Sequence, residues 1–306
     1  MGKIAFLFSG QGAQQVGMGK DLYACGKEAK RLFDMGERIL PGVKATCFES
    51  GGDALSRTEN AQPCLFLTDL AYAKELNAAG VIPSAAAGFS LGEIPALTFA
   101  KILSDEDGFA LAVMRGRLMA DVCARDNGGM VAVVRTNRET VERICAETGV
   151  YAVNYNCPGQ ISCAGNEPAL SEFCSAIKAA GGRAVRLRVA GAFHTPAFES
   201  VGERIRLYMN SVKVNAPIIP VYANLTGKPY PSEGEKITET VAKQVSGRVL
   251  FEQTLKNIAA DGVDTFVEVG AGRTLTGFVE KTLPGVRAFC VNDVKSLKET
   301  AEILKG

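Results

Sequence analysis

A serine stands between two glycines in the stretch AAAGFSLGEIPAL, residues 85 to 97, and the only histidine of the chain, His194, stands in VAGAFHTPAF. Gly88, Phe89, Ser90, Leu91 and Gly92 complete the pattern G-x-S-x-G between a short apolar run and a helix-like one. In that setting a sharp strand-to-helix turn lifts a serine hydroxyl into the open and aims backbone N–H groups at the same point. The plainer reading of Ser90 is an N-cap on an ordinary turn. Pro95 lacks an N–H and falls near the first helical turn, which predicts an irregular start to the helix. A serine hydroxyl needs a base at neutral pH, and His194 is the one imidazole available. It lies where an alternating strand (Val185, Leu187, Val189) ends and a helix begins, with Thr195 as N-cap and Pro196 at the first helical position. The alternative for His194 is a hydrogen-bonded structural role.

A third group should hold the other imidazole nitrogen. Asp105, Asp107, Asp121 and Asp126 lie between Ser90 and His194, and none stands out. Asp105 and Asp107 read better as first-turn residues behind the N-cap Ser104. Arg115, in FALAVMRGRLM, follows almost wholly apolar turns, so its guanidinium must find an anion, either an internal carboxylate or a ligand. The glycine-rich stretch FSGQGAQQVGMGKD (8 to 21) follows a strand but is not a phosphate loop: Gln15 stands where G-x-G-x-x-G needs glycine, and Gly17 is followed by Met18. Such a turn can present a backbone N–H to an oxyanion instead. VEVGAGRTL (267 to 275) reads as strand, glycine turn and helix start.

These residues must be carried by regular elements, and the periodicity supplies them. Residues 130–135, 151–156, 160–165 and 183–189 read as strands, with helices over 138–149 and 167–182, the second capped by Asn166. The order β-α-β-β-α-β is that of a ferredoxin-like unit. Around it, KIAFLF, AAAGF, IIPVYAN and TFVEVG read as strands, with helices around 61–80, 105–122, 197–213 and 249–261. That alternation predicts an α/β fold with a mostly parallel sheet flanked by helices. The small unit is then an insertion, which divides the chain into 1–125 with 195–306 and 126–194. KPYPSEGEK (228 to 236) is the most loop-like segment.

With 306 residues, 47% hydrophobic and 22% charged, the chain is long enough for a large core and far from the composition of disorder. Its 34 basic and 33 acidic residues leave a net charge of +1 and no global field to favour nucleic acid or an anionic membrane. Nine cysteines without a C-x-x-C pair, beside one histidine, fit no zinc spacing and predict reduced thiols in a cytoplasmic protein with no metal. The apolar run after Lys3 is too short for a signal-peptide core, and no stretch reaches the ~18 apolar residues of a membrane span.

Taken together, GQGAQQVGMG, GFSLGEIPAL, RGRLM, NYNCPGQISCAG, GAFHTP, VYANLTG, QVSGRVLF and VEVGAG resemble, in order and approximate spacing, bacterial malonyl-CoA:acyl carrier protein transacylases. They also resemble the acyltransferase domains of fatty acid and polyketide synthases. The resemblance runs from residue 5 to about residue 278. It implies a hydrolase-like α/β core with a ferredoxin-like insertion, and malonyl transfer from coenzyme A to acyl carrier protein through a malonyl-serine ester. It implies Ser90 as nucleophile, His194 as base, the backbone carbonyl of Gln244 as the imidazole's other partner, and the N–H groups of Gln11 and Leu91 as oxyanion hole. Arg115 then pairs with the malonyl carboxylate, and Met119 and Phe193 join it in substrate binding. No cofactor is implied, coenzyme A thioester being a substrate. Four positions depart from the family: Phe89 stands where histidine is usual, Ser9 and Arg248 where proline is common, and Phe251 where tryptophan is common. The competing readings are a serine hydrolase such as a thioesterase, which shares the elbow and the histidine, and a non-catalytic module that binds carrier protein.

Overall fold

The computed structural model describes residues 2–125 and 127–305; Asp126, one of the carboxylates weighed above, lies outside them, as do Met1 and Gly306. Nine strands form among the described residues: β1 (Lys3–Phe8), β2 (Ala85–Gly88), β3 (Gly128–Val134), β4 (Tyr151–Cys157), β5 (Gln160–Asn166), β6 (Arg183–Arg186), β7 (Val221–Tyr222), β8 (Val263–Val269) and β9 (Arg287–Val291). Five build a parallel sheet in the order β7-β2-β1-β8-β9, and four build an antiparallel sheet in the order β4-β5-β3-β6.

Strand β1 sits at the centre of the parallel sheet, which explains its continuous apolar sequence. Ile4, Phe6 and Phe8 enter one core cluster and Ala5 and Leu7 another, on opposite faces of the pleat. The helix Thr58–Ala78 packs on the first of these faces and is buried almost all round. The alanines of β2 pair in register with β1, from Ala5 opposite Ala85 to Phe8 opposite Gly88, and end at the serine turn. Loops that follow β1, β2 and β8 therefore emerge side by side at the carboxyl ends of the parallel strands, where open α/β sheets place their ligands.

The antiparallel sheet has the strand order of a ferredoxin-like unit, with the helices Arg138–Thr148 and Glu167–Ala179 on one face. Asn137 and Asn166 cap these helices by accepting the N–H groups of Thr140 and Ala169, and Gly149 ends the first in a left-handed conformation. Val249 ties this sheet to the rest of the chain: its N–H donates to Val153 O at 2.8 Å and its carbonyl accepts from Tyr155 N at 2.9 Å.

Several elements differ from the sequence reading for local reasons. Strand β6 stops at Arg186 rather than at residue 189; Leu187 N still reaches Met130 O, but Leu187 and Val189 then turn into a cavity wall. Strand β7 keeps only two of the seven residues from 218 to 224, because Pro217 and Pro220 have no N–H for the ladder. The helix Gly234–Gln244 begins inside the segment read as loop, and the edge strand β9 and the helix Val294–Leu304 carry too short or too exposed an apolar pattern to have been anticipated. Ser104 caps the helix Asp105–Cys123 as expected, its hydroxyl accepting from Asp107 N. Asp105 does more than favour a helix start, since it pairs with both Lys74 and Arg31.

Phe173 is fully enclosed between the small sheet and its helices. Phe173→Ala is expected to destabilise the protein by about 3–5 kcal/mol in a denaturant titration. A loss below about 1 kcal/mol would mean that the ring does not anchor that core.

Candidate active site

Ser90 is the tip of an elbow whose tightness can be measured on its glycines. A Cβ on Gly88 would meet the Gly92 carbonyl carbon at 1.9 Å, and one on Gly92 would meet Phe8 O at 2.2 Å, so neither position accepts a side chain. Ser90 itself holds φ at +51°, a left-handed conformation uncommon outside glycine. It opens a single 3-10 turn, Ser90–Gly92, before the α-helix Glu93–Phe99, the irregular start that Pro95 foretold. The Ser90 side chain makes no capping bond; its Oγ lies 2.7 Å from His194 Nε2. The N-cap reading of Ser90 is thereby replaced by one in which the hydroxyl faces the imidazole.

His194 is also left-handed, with φ at +65°. Thr195 does not cap the following turn with its side chain, contrary to expectation; its hydroxyl bonds back to Ala192 O at 2.8 Å and closes a tight loop around the histidine. Two such non-glycine residues facing each other cost roughly 1–3 kcal/mol apiece and persist only where their surroundings over-determine them. His194 Nδ1 lies 3.1 Å from Gln244 O and 3.0 Å from Gly247 O. Both partners only accept, so Nδ1 carries the proton and Nε2 presents its lone pair to Ser90. Burial, and then the positive charge of Arg115, push the His194 pKa down to about 4, against the raising effect of the two carbonyls.

Arg115 is 2% exposed and extends from the helix Asp105–Cys123 towards the same hydroxyl. Its Nη1 donates to Gln62 Oε1 at 2.9 Å, and its Nη2 donates to Ser90 Oγ at 3.2 Å and Gln244 Oε1 at 3.3 Å. Among the described residues no carboxylate lies within ion-pair distance, so the internal salt bridge that sequence reasoning entertained is not made. Burial lowers the guanidinium pKa to about 10, which leaves it cationic at neutral pH. A buried cation surrounded by neutral oxygens is a site that favours an anion.

A cavity of about 220 Å³ opens over these groups. Gln11, Met119 and Phe193 line it beside Ser90, Arg115 and His194. Gln11 is tied down through its side chain, donating to Thr58 Oγ1 and accepting from Gln62 Nε2, whose amide also reaches Met119 Sδ. Leu91 is buried directly behind the nucleophile, second in the 3-10 turn, where an N–H has no intrahelical partner. The antiparallel sheet supplies the opposite wall, including Asn154, Asn156, Gln160 and Ser162. The amide oxygens of Asn154 and Asn156 are buried without a hydrogen-bond partner among the described residues. Phe89, the residue before the nucleophile, packs edge-on against Phe251 and also touches Phe278, so two of the departures from the family pattern meet in one apolar contact.

Comparison with known proteins follows the same outline. The family described as acyl transferase domain matches residues 5–300. The chain belongs to that family. Among its relatives, the malonyl CoA-acyl carrier protein transacylase of Bacillus subtilis (strain 168) is 33% identical over 312 residues, covering 100% of this chain and 98% of the relative. The crystal structure of malonyl CoA-acyl carrier protein transacylase from Clostridium perfringens ATCC 13124 superposes with a TM-score of 0.94 at 36% identity, covering 99% of this chain and 97% of that one. A malonyl-transacylase in complex with its type II PKS acyl-carrier protein gives a TM-score of 0.94 at 29% identity over 98% of this chain and 99% of that chain.

In this acyl transferase Gln11, Ser90, Arg115, Met119, Phe193 and His194 line one cavity, while Leu91 and Gln244 lie outside its lining, Gln244 bonded to His194, Arg115 and Ser90; four further participants were not named: Gln62, Glu93, Asn224 and Gly247. Gln62 orients the Arg115 fork, and Gly247 shares the imidazole proton. Glu93 and Asn224 lie beneath the elbow. Their signal was present as polar residues inside apolar patterns, Glu93 ahead of Ile94 and Asn224 after a strand, yet nothing in spacing says which element they face.

A single histidine makes a clean probe. An NMR titration of the imidazole should show its midpoint near 4 instead of the ordinary 6.5. Arg115→Met removes a neighbouring cation and should move that midpoint up. Because the folded-state value is depressed, the neutral imidazole adds stability that is full above about pH 6.5 and is lost as the pH falls towards 4. A midpoint near 6.5 in the native protein would refute the buried, arginine-facing environment.

Proposed function

We propose that this chain transfers a malonyl group from coenzyme A to the phosphopantetheine thiol of acyl carrier protein through a malonyl ester on Ser90. The observation that carries this reading is the buried Arg115, which has neutral partners only and points at the nucleophile. A malonyl thioester brings the missing anion at one end and the reactive carbonyl at the other.

In the first half-reaction Ser90 Oγ attacks the thioester carbonyl while His194 Nε2 takes the hydroxyl proton. The carbonyl oxygen becomes an oxyanion, received by the N–H groups of Gln11 and Leu91. Collapse breaks the C–S bond, and His194 returns its proton to the departing coenzyme A sulfur. The carbonyls of Gln244 and Gly247 hold the imidazole in the tautomer this requires and share the positive charge that forms on it. In the second half-reaction the carrier-protein thiol gives its proton to His194 and attacks the ester carbonyl; collapse breaks the C–O bond to Ser90, and His194 returns the proton to Ser90 Oγ. Arg115 turns from Ser90 and Gln244 to grip the malonyl carboxylate, with Met119 and Phe193 enclosing the acyl chain. The unpartnered amide oxygens of Asn154 and Asn156 are acceptors suited to the amide N–H groups of a pantetheine arm.

The chemistry asks for no cofactor, since coenzyme A thioester is itself a substrate. A role in fatty acid biosynthesis and a cytoplasmic setting go with this reading; the buried thiols of Cys47, Cys64, Cys145, Cys157 and Cys163 and the absence of any helix long and apolar enough to cross a membrane among the described residues are compatible with it.

Incubation with malonyl-CoA should add one malonyl group to Ser90, detectable by mass spectrometry, and holo carrier protein should discharge it faster than water does. Failure to form the adduct would leave only a binding module, and dominant release of free malonate would mean a hydrolase. Ser90→Ala and His194→Ala should each lower turnover by roughly 10⁶-fold. Arg115→Ala should cost malonyl transfer about 2–5 kcal/mol and acetyl transfer far less. Equal losses for the two acyl groups would make Arg115 a structural residue.

A further inference from the structure

Beneath the elbow lies a polar cluster that the transfer chemistry leaves unused. Asn224 follows β7 and is fully buried. Its side-chain Oδ1 accepts from Ser90 N at 2.7 Å, and its Nδ2 donates to Gly88 O at 2.6 Å. One primary amide thus spans the peptide groups on either side of Phe89. The Asn224 backbone is equally engaged: its N–H donates to Glu93 Oε2 at 2.7 Å, and its carbonyl accepts from Leu250 N at 2.8 Å. Glu93 also receives the Tyr230 hydroxyl, and Gln244 Nε2 donates to Ser90 O at 2.7 Å and to Asn224 Oδ1 at 3.4 Å. The side-chain amide of Asn224 holds the elbow on either side of Phe89, and its backbone groups hold Asn224 itself in place.

Ser90 needs such a restraint because its left-handed backbone is strained and its hydroxyl has a narrow target, Nε2 of an equally strained histidine. We propose that Asn224 is a positioning residue, whose side-chain amide locks the Ser90 backbone in the left-handed conformation and so sets the approach of the hydroxyl to His194. The proposal rests on the reading that Ser90 carries the acyl group. Geometry restricts the residue type: an acceptor must face Ser90 N–H and a donor must face the Gly88 carbonyl. A carboxylate in the same place would set an acceptor against that carbonyl, in a pocket already holding Glu93. A protonated carboxyl restores the pattern, its C=O taking the Ser90 N–H and its O–H pointing at Gly88 O. The titratable or charged groups around this position are Glu93, Tyr230 and, across Ser90, Arg115 and His194.

The test is the single-turnover rate of malonyl-Ser90 formation from malonyl-CoA, followed by quenched-flow mass spectrometry between about pH 5.5 and pH 8, the window in which the neutral base varies little. Asn224→Leu should acylate about 100-fold more slowly across the range, with the KM for malonyl-CoA nearly unchanged and a folded circular dichroism spectrum. Asn224→Asp should be slow near pH 8 and, taken relative to the native rate at each pH, recover by about tenfold or more towards pH 5.5 as its carboxyl protonates, Glu93 with its pKa of about 7 being common to both proteins. A folded Asn224→Leu within about twofold of the native rate, or an Asn224→Asp that tracks the native pH profile, would overturn the proposal; if the leucine variant fails to fold, the aspartate profile alone decides. The native protein run alongside separates the two levels. No adduct in the native protein removes the functional reading itself, whereas a native adduct formed equally well by the variants removes only the role of Asn224.

Discussion

A positive charge buried with no carboxylate in ion-pair contact among the described residues is the constraint around which the site is arranged. Arg115 lies in the interior with its donors resting on Gln62, Ser90 and Gln244, all neutral oxygens. Taking a guanidinium out of water without a carboxylate in contact is costly, and the fold bears that cost through the packing of the helix Asp105–Cys123 against the helix Thr58–Ala78. The same charge acts on its neighbours. It helps to keep His194 neutral and so able to accept a proton, and it lowers the tendency of the buried Glu93 to hold one, although burial still dominates and brings that carboxyl up to about 7. Cation, base and carboxyl are thus parts of one electrostatic problem.

Backbone strain is the second contribution. Ser90 and His194 both occupy a conformation that bulky side chains avoid, and both are reached through residues that leave the backbone no alternative: interlocked Gly88 and Gly92 on one side, the Thr195 hydroxyl on Ala192 O on the other. The hydroxyl and imidazole meet at 2.7 Å as a result of packing and hydrogen bonds drawn from β1, β2, β7 and the segment around Gln244, remote in sequence from one another.

Much of this was legible in the sequence because the informative features are local. Continuous apolar runs give the buried parallel strands, asparagines ahead of amphipathic segments give the caps of the small unit, and a glycine-bracketed serine gives the elbow. The resemblance supplied the pairing of Gln244 with the imidazole, which spacing alone could not. What stayed hidden depends on tertiary direction. Nothing along the chain says that Asn224 turns its amide under residue 90, that Gly247 shares a proton with Gln244, or that Arg115 lacks a carboxylate partner. The edges failed for a different reason: Pro217 and Pro220 trim β7, and Arg287 at the exposed start of β9 blurs a pattern that is only half buried.

The hydrogen bonds of Val249 to Val153 and Tyr155 have a mechanical consequence. The segment they stitch to the small sheet is the one whose carbonyls, at Gln244 and Gly247, grip the imidazole. Swinging the two sheets apart would drag that grip with it and disarm the base. The wall over the cavity and the grip on the base are thus tied through one residue, and any opening of the mouth would register at the imidazole.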